Sequence, residues 1–437
     1  MQKQDKVMNR WWVVLGALVI QLCLGAIYAW SVFTPSLKAA PFNFSATQTQ
    51  VVFSVGLAVF ALVMVLAGRW QAKAGPRRVA LSGGVLLGLG YILAKFIGSS
   101  FMGQILSIGV IGGAGIGLAY VCPIAVGMKW FPDKKGLITG LAVAGFGFGA
   151  LIWIKLAGAW GHLIENMGVL NVFGLYGVIF LVAVSLGSLV MVNPPTGWKP
   201  AGWSPPEPKV QGSKVTGQLT MQPDQMLRTP QFYMLWTIFI FSGMAGLMTI
   251  GIIKLFGIDA LKASGHDAAS ASAIAGTAMA VFYSLANGIG RIAWGAMSDK
   301  LGRKLSITLM TAVQGVMMLL FYWMGGNTAL LYLGATIIGF NFGGNFALFP
   351  TATADFFGTA HVGQNYGWMF TAYGVGGIVG PIMAGAFRDS GSWLPAFIIS
   401  GVLCLVAAGI ALALKPPRPA VVSVPDLEPA PESVGAR

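Results

Sequence analysis

Long apolar segments alternate with short polar stretches along almost the whole chain. Each apolar segment has about 20 residues or more, the length that an α-helix needs to cross the hydrocarbon core of a bilayer. The pattern therefore predicts an all-α membrane protein with twelve transmembrane helices, at about residues 11–34, 46–70, 77–98, 101–128, 135–160, 169–192, 230–257, 268–298, 303–324, 328–353, 363–388 and 393–415.

Two polar stretches interrupt this pattern. Residues 193–229 carry seven prolines among Gly, Ser, Lys and Gln, a composition typical of a linker. Residues 416–437 have no apolar face to bury and are predicted to be a disordered cytoplasmic tail. The chain is thus predicted to consist of a six-helix half at 1–192, a cytoplasmic linker at 193–229, a second six-helix half at 230–415 and the tail at 416–437.

Composition and charge fix the class of protein and its orientation. With 56% hydrophobic residues, 9% charged residues and a mean hydropathy of +0.75, the chain is too apolar for a soluble protein. The net charge of +14 would suggest nucleic acid on a soluble protein, but here 20 of the 27 basic residues fall on the side of the linker and both termini, and six on the other. The positive-inside rule then predicts a multi-pass inner-membrane protein with both termini cytoplasmic and no nucleic-acid partner.

Candidate chemistry is sparse inside the apolar segments. Cys23, Cys122 and Cys404 lie in them without CxxC spacing or a neighbouring histidine, so we expect no disulfide, no metal site and no cofactor. Acidic residues and histidines fall outside the helices or at their ends, so no buried proton relay is predicted. An enzyme would need a buried nucleophile, acid or metal constellation, so we expect no catalytic activity.

Arg291 is the exception, because it lies in a glycine-rich apolar run between Ala268 and Asp299. On a helix it would sit roughly 12 Å inside the polar end. A charge at that depth costs several kcal/mol unless it faces a cavity or a partner, which favours a functional role. Snorkelling, or pairing with Asp299, is the structural alternative. Asn287, one turn earlier on the same face, could contact the same anion or hold the guanidinium in place.

The two halves resemble copies of one another at an offset of 227 residues. Gly68 and Gly75 match Gly295 and Gly302, and Gly136 matches Gly363. Two parallel six-helix repeats, with substrate bound between them, resemble the architecture of the major facilitator superfamily. The second-half loop Gly-x-x-x-Asp-x-x-Gly-Arg-Lys, at residues 295–304, resembles that superfamily's gating loop. The gating residues predicted in it are Gly295, Asp299, Gly302 and Arg303. The first-half copy of the loop has Ala72 where a carboxylate is expected.

Four further motifs, at residues 130–136, 226–232, 347–350 and 365–367, are similar to those of the oxalate:formate antiporter family, which is related to monocarboxylate transporters. The resemblance spans essentially residues 8–415 and implies exchange or symport of small carboxylates. It also implies which residues bind substrate: Arg291, with Tyr28 and Tyr120 beside it and Phe342 and Phe346 in the wall, where oxalate carriers have Trp and Tyr. For each tyrosine, a packing role is equally compatible with the sequence.

Charge counting narrows the expected substrate. The family's oxalate carriers have a lysine where this chain has Tyr373, so Arg291 is the one fixed cation that the sequence places in the cavity. A dianion would keep one charge unpaired there, at a cost of several kcal/mol. We therefore expect a monocarboxylate such as lactate, pyruvate or formate, with Tyr373 as a hydroxyl donor and Phe370 as apolar wall. Against this, Lys254 or a bound cation could supply the second charge, and Tyr373 could simply pack.

The sequence-based prediction is a monomeric secondary transporter of small monocarboxylates, working as an anion exchanger or a proton-coupled symporter in the lipid bilayer. Three alternatives remain open at this point. One is an oxalate:formate antiporter, another is a non-transporting carboxylate sensor on the same fold, and the third is a drug or sugar carrier of the superfamily.

Overall fold

The fold was obtained as a computed structural model, which describes residues 8–44, 46–158, 160–204, 209–211, 214–216, 220–417 and 422–423. The described residues include twelve helices that are long and apolar enough to cross a membrane, so the predicted count is confirmed. We number them α1 to α12: Trp11–Ala29, Val51–Ala74, Pro76–Ile97, Phe101–Trp130, Lys135–Ala157, Val169–Ser188, Pro230–Ala263, Ala268–Leu301, Arg303–Met324, Thr328–Phe357, Val362–Arg388 and Leu394–Ala413.

The helices pack as two pseudo-symmetric sets of six. In the first set α1 packs on α5 and α3 on α6, and in the second the equivalent pairs are α7 with α11 and α9 with α12. The two sets meet where α5 crosses α8 and where α2 crosses α11. Both crossings depend on glycine, because a Cβ at Gly136 would overlap the main-chain oxygen of Gly295, and a Cβ at Gly68 would overlap that of Gly363. These four glycines form two of the pairs that the 227-residue offset relates.

Four membrane helices are irregular, and hydropathy did not predict this. In α1 the segment Gly25–Ala29 is 3₁₀-helical, and the chain continues from it as the helix Trp30–Lys38. Helices α4 and α8 each contain a π-helical segment, Ile105–Gly112 and Ala278–Tyr283. Helix α11 is divided into Val362–Met369 and Thr371–Asp389.

The predicted linker docks on the second half. The Met221 N–H donates to the Phe357 main-chain oxygen at 2.8 Å, and the Asn365 side-chain amide donates to the Met221 oxygen at 3.0 Å. Two short helices, Leu163–Met167 and Pro223–Met226, lie outside the membrane spans. Strand β1 (Lys209–Gln211) pairs antiparallel with β2 (Lys214–Thr216), and β2 with β3 (Val422–Ser423). Most of the predicted disordered tail, from residue 418 onward, lies outside the described residues.

Candidate functional site

Arg291 lies on α8 at the centre of the molecule and has no solvent exposure. Its side chain does not reach a membrane surface. Asp299, the partner considered from the sequence, instead pairs with Arg303 at 2.8 Å. Within the described part of the chain, no ion pair involves Arg291. The structure therefore encloses an arginine whose positive charge has no carboxylate beside it.

Hydrogen bonds and a ring face hold the guanidinium in one orientation. Its Nε donates to the Asn287 Oδ1 at 3.1 Å, and Nη1 donates to the main-chain oxygen of Val143, on α5 of the other half, at 3.0 Å. The guanidinium carbon lies 4.0 Å from the centroid of the Phe346 ring and 5.3 Å from that of Phe146. Nη2 is buried and has no hydrogen-bond partner among the described residues. Two of the three guanidinium nitrogens therefore hold the side chain in place, and the third, Nη2, remains able to donate hydrogen bonds to a ligand.

Three tyrosines surround this free donor. The hydroxyls of Tyr28, on α1, and Tyr373, on α11, are hydrogen-bonded at 2.6 Å, and so join the two halves. The Tyr120 hydroxyl, on α4, is buried without a hydrogen-bond partner among the described residues. Both Tyr28 and Tyr120 interact electrostatically with Arg291. Hydroxyl groups and one guanidinium nitrogen are therefore grouped together, and a small anion bound among them would find several donors.

Aromatic rings form the rest of the wall. Phe342 and Phe346 on α10 meet edge to face at 5.1 Å, Phe346 meets Tyr373 at 5.6 Å, and Phe370 stacks on Tyr373 at 4.7 Å. The structure thus brings together all eight residues that the sequence predicted for the substrate site, each at most 2% exposed: Tyr28, Tyr120, Asn287, Arg291, Phe342, Phe346, Phe370 and Tyr373.

Sequence reasoning missed three members of the site. Phe60 and Phe146 complete the wall on the first half, and the Val143 carbonyl anchors Arg291. The repeat carried a signal for both rings, because the 227-residue offset relates Phe60 to Asn287 and Phe146 to Tyr373. The carbonyl had no such signal, since a main-chain acceptor leaves no trace in side-chain identity.

The predicted gating loop closes one side of the site, which we call the linker side because the linker lies there. The Asp299 carboxylate accepts hydrogen bonds from the N–H groups of Gly136 and Leu137, at the start of α5, at 3.0 and 2.9 Å. Asp355 on α10 pairs with Arg303 at 2.7 Å and with Lys135 of the first half at 2.9 Å. These bonds and the packing of Gly295 against Gly136 hold the halves together.

Gly302 allows the chain to turn between α8 and α9, because its φ of +83° suits glycine. The turn directs Arg303 back toward Asp299 and Asp355. Every predicted substrate residue is buried behind these contacts.

The chain is similar to known proteins in both sequence and fold. The sequence profile of the Major Facilitator Superfamily matches residues 17–282 and 267–434. An uncharacterized MFS-type transporter of Escherichia coli K12, YhjX, is 32% identical over 85% of this chain and 86% of its own length. The oxalate:formate antiporter of Oxalobacter formigenes is 28% identical (93% and 92%), and the apicoplast pyruvate carrier 1 of Toxoplasma gondii is 27% identical (83% and 81%).

A solved structure shares the fold of this chain. The solved structure of the proton:xylose symporter XylE superposes with a TM-score of 0.65 over 91% of this chain and 94% of that one. The identity of 15% restricts this similarity to the fold.

Proposed function

Because this chain belongs to the Major Facilitator Superfamily of membrane transporters, we propose that it moves small monocarboxylates across the membrane by alternating access. The transport would be anion exchange or proton-coupled symport of lactate-, pyruvate- or formate-type substrates. We also propose an inner-membrane location with the linker side facing the cytoplasm, from the distribution of basic residues.

One observation carries the proposal: the free Nη2 of Arg291 in a closed site without a counter-ion. A buried, unpaired charge costs several kcal/mol, so the fold maintains this arrangement at the expense of stability. A carboxylate would remove that cost, because guanidinium and carboxylate form strong, planar, charge-assisted hydrogen bonds where water is scarce. The Tyr28 and Tyr120 hydroxyls lie beside the same charge and would complete the hydrogen bonds of the substrate.

The charge of the site supports a monoanion. Lys254, considered from the sequence as a second cation, has an exposed side chain and so lies outside the enclosed site. Tyr373 stands in the wall without a charge, hydrogen-bonded to Tyr28. One fixed positive charge would neutralise one carboxylate. The names of two relatives, an oxalate:formate antiporter and a pyruvate carrier, support the carboxylate class without choosing within it.

The bonds of Arg291 also suggest how binding is coupled to movement. Its Nη1 donates to Val143 on α5, so the residue proposed to bind substrate is itself a contact between the halves. The Tyr28–Tyr373 hydrogen bond is a second such contact. A carboxylate that accepts from these groups would replace direct bonds between the halves with bonds through the substrate. Loaded and empty carriers would therefore differ in how easily the halves rock.

Counterflow in proteoliposomes tests the proposal. Labelled lactate, pyruvate or formate should accumulate against an excess of the same unlabelled anion inside. Arg291→Lys should abolish most of this exchange while folding normally, because lysine keeps the charge and loses the planar fork. Arg388→Lys is the matched control, since Arg388 lies half-exposed at the outer end of α11 and should tolerate the change.

The outcomes separate the alternatives. Binding of a carboxylate without any flux would support a sensor instead of a carrier. Full exchange by a well-folded Arg291→Lys or Arg291→Ala protein would refute the site. No response to any carboxylate, together with exchange of a sugar or drug, would refute the substrate class.

A further inference from the structure

The repeat relates the anion-binding face of α8 to a purely apolar face of α2. The 227-residue offset places Phe60 at the position of Asn287 and Met64 at that of Arg291. Packing confirms that these positions are equivalent. Gly140 on α5 lies against the main-chain oxygen of Arg291, and Gly367, its counterpart on α11, lies against that of Met64. The two polar residues that hold the proposed carboxylate therefore have hydrophobic counterparts on the other half.

Phe60 is one of the rings of the aromatic wall and packs against four others. Its ring centroid is 4.9 Å from that of Phe370, 5.1 Å from Tyr120 and 5.9 Å from Tyr373. Phe146 neighbours both groups, since its ring lies 5.3 Å from the Arg291 guanidinium carbon and stacks on Phe60 at 6.2 Å. Phe60 is buried and contacts rings from both halves.

The site consequently has two chemically different ends. At one end the guanidinium, the Asn287 amide and the tyrosine hydroxyls offer polar atoms. At the other, Phe60 presents carbon only, so a group that arrives there gains by leaving water and has nothing to hydrogen-bond. A carboxylate held at Arg291 with its substituent turned toward Phe60 would place that substituent among carbon atoms.

We propose that Phe60 is the residue that sets the length of the substrate, by closing the apolar end of the site against the hydrocarbon tail of a monocarboxylate. This deepens the proposed function and rests on it. The substrate class becomes a short-chain monocarboxylate with a tail of a few carbons. Formate, which has no tail, fills only the polar end.

The wild-type protein gives the first test. Labelled lactate exchange is measured in proteoliposomes with unlabelled straight-chain monocarboxylates from formate to octanoate as competitors. Each methylene that fits a hydrophobic pocket changes discrimination by roughly tenfold or more. Potency should therefore rise from formate to propionate or butyrate and then fall by about tenfold or more once the tail meets Phe60. Equal potency across all lengths would overturn the proposal.

Phe60 variants move the optimum in opposite directions. Phe60→Leu and Phe60→Ala should shift the best competitor to longer chains, and Phe60→Trp should shift it to shorter ones. Phe173→Leu is the control, because Phe173 is an equally buried ring of the first half that packs on Phe33 and Trp30, outside the site. It should keep the wild-type profile.

Failure of this inference is distinguishable from failure of the proposed function. If Phe60→Leu and Phe60→Trp exchange lactate with the wild-type optimum, the length assignment is wrong and carboxylate transport stands. If the wild type exchanges no monocarboxylate, or does so without Arg291, the proposed function and this inference fail together. Should Phe60→Ala prove unstable, Phe60→Leu and Phe60→Trp, which keep a large apolar side chain at this position, still decide.

Discussion

Substitutions of Tyr373 can separate the effect of charge on substrate selectivity from the effect of the hydroxyl hydrogen bond. Its hydroxyl is paired with that of Tyr28 and its ring stacks on Phe370, in a wall that holds a single fixed cation, Arg291. Adding a second cation at this position should favour a dianion, because a dianion bound to one guanidinium keeps a charge that is neither paired nor hydrated.

We predict that Tyr373→Lys shifts competition from lactate toward oxalate by at least about tenfold, which corresponds to roughly 1.4 kcal/mol of binding free energy. Tyr373→Phe is the control, since it also removes the hydroxyl bond to Tyr28 but adds no charge. The measurement is inhibition of labelled lactate exchange by unlabelled oxalate and lactate. A wild type that already prefers oxalate, or a lysine variant that behaves like the phenylalanine variant, would show that charge counting does not govern selectivity.

The sequence predicted the polar residues of this site better than the aromatic residues of its wall. Arg291 was identifiable because a charge within an apolar run is costly, and Asn287 followed from its place one turn away. Phe60 carried only the weaker signal of its place in the repeat, because a phenylalanine in a membrane helix is ordinary. Its position in the wall depends on how α2 meets α4, α5 and α11, and that is a property of the packed molecule.

Among the elements, α8 carries both the proposed anion site and the tightest crossing to the other half. Three points on α8 contact three glycines on α5: Gly288 lies against Gly147, the Arg291 main chain against Gly140, and Gly295 against Gly136. Small residues at these positions let the two backbones approach closely. Arg291 is therefore held by the same contact that closes the linker side.

We predict that Gly295→Ala slows exchange by disfavouring closure of the linker side. The new Cβ would overlap the Gly136 carbonyl, and overpacking typically costs about 1–3 kcal/mol. Such a cost shifts a two-state equilibrium by roughly 5- to 150-fold. Gly276→Ala is the control on the same helix, because a Cβ there has no neighbouring atom within 4 Å. Initial exchange rates at equal reconstituted protein provide the measurement, and equal rates for the two variants would contradict the prediction.

Hydropathy predicted where helices cross the membrane, and less well where they end. It ended the seventh helix at residue 257, but α7 continues to Ala263, because Asp259, Lys262 and their neighbours keep helical geometry once they have left the apolar layer. The π-helical turn of α8, Ala278–Tyr283, was also missed. An extra residue in a turn changes which side chains face the centre without changing how apolar the segment is.

At the scale of the whole molecule, closure of the linker side depends on two kinds of contact. Glycine packing at α5–α8 and α2–α11 depends on shape alone. Asp355 adds charge, because it pairs with Arg303 of its own half and with Lys135 of the other. These ion pairs are partly exposed, with the Asp355 side chain 31% accessible, so each contributes about 1 kcal/mol or less. The balance between open and closed forms should therefore respond to this one carboxylate.

We predict that Asp355→Asn populates a form that is open on the linker side. Spin labels at Lys134→Cys and Lys300→Cys, two exposed positions on opposite halves, would report the distance by double electron–electron resonance. The three native cysteines are buried and would be replaced by alanine. The labelled protein with Asp355 intact should give one short distance between the two labels, and Asp355→Asn should add a population with a longer distance.

Glu165→Gln is the control for this experiment, because it changes an exposed carboxylate that contacts His162 on the opposite side of the membrane and should leave the distance unchanged. Raising the salt concentration should move the unmutated gate in the same direction as Asp355→Asn, since ions screen partly exposed charges. If the distance distribution of Asp355→Asn matches that of the protein with Asp355 intact at low and high salt, the Asp355 ion pairs do not set the equilibrium between open and closed forms. The glycine crossings and the hydrogen bonds that Asp299 accepts from the start of α5 would then keep the linker side closed.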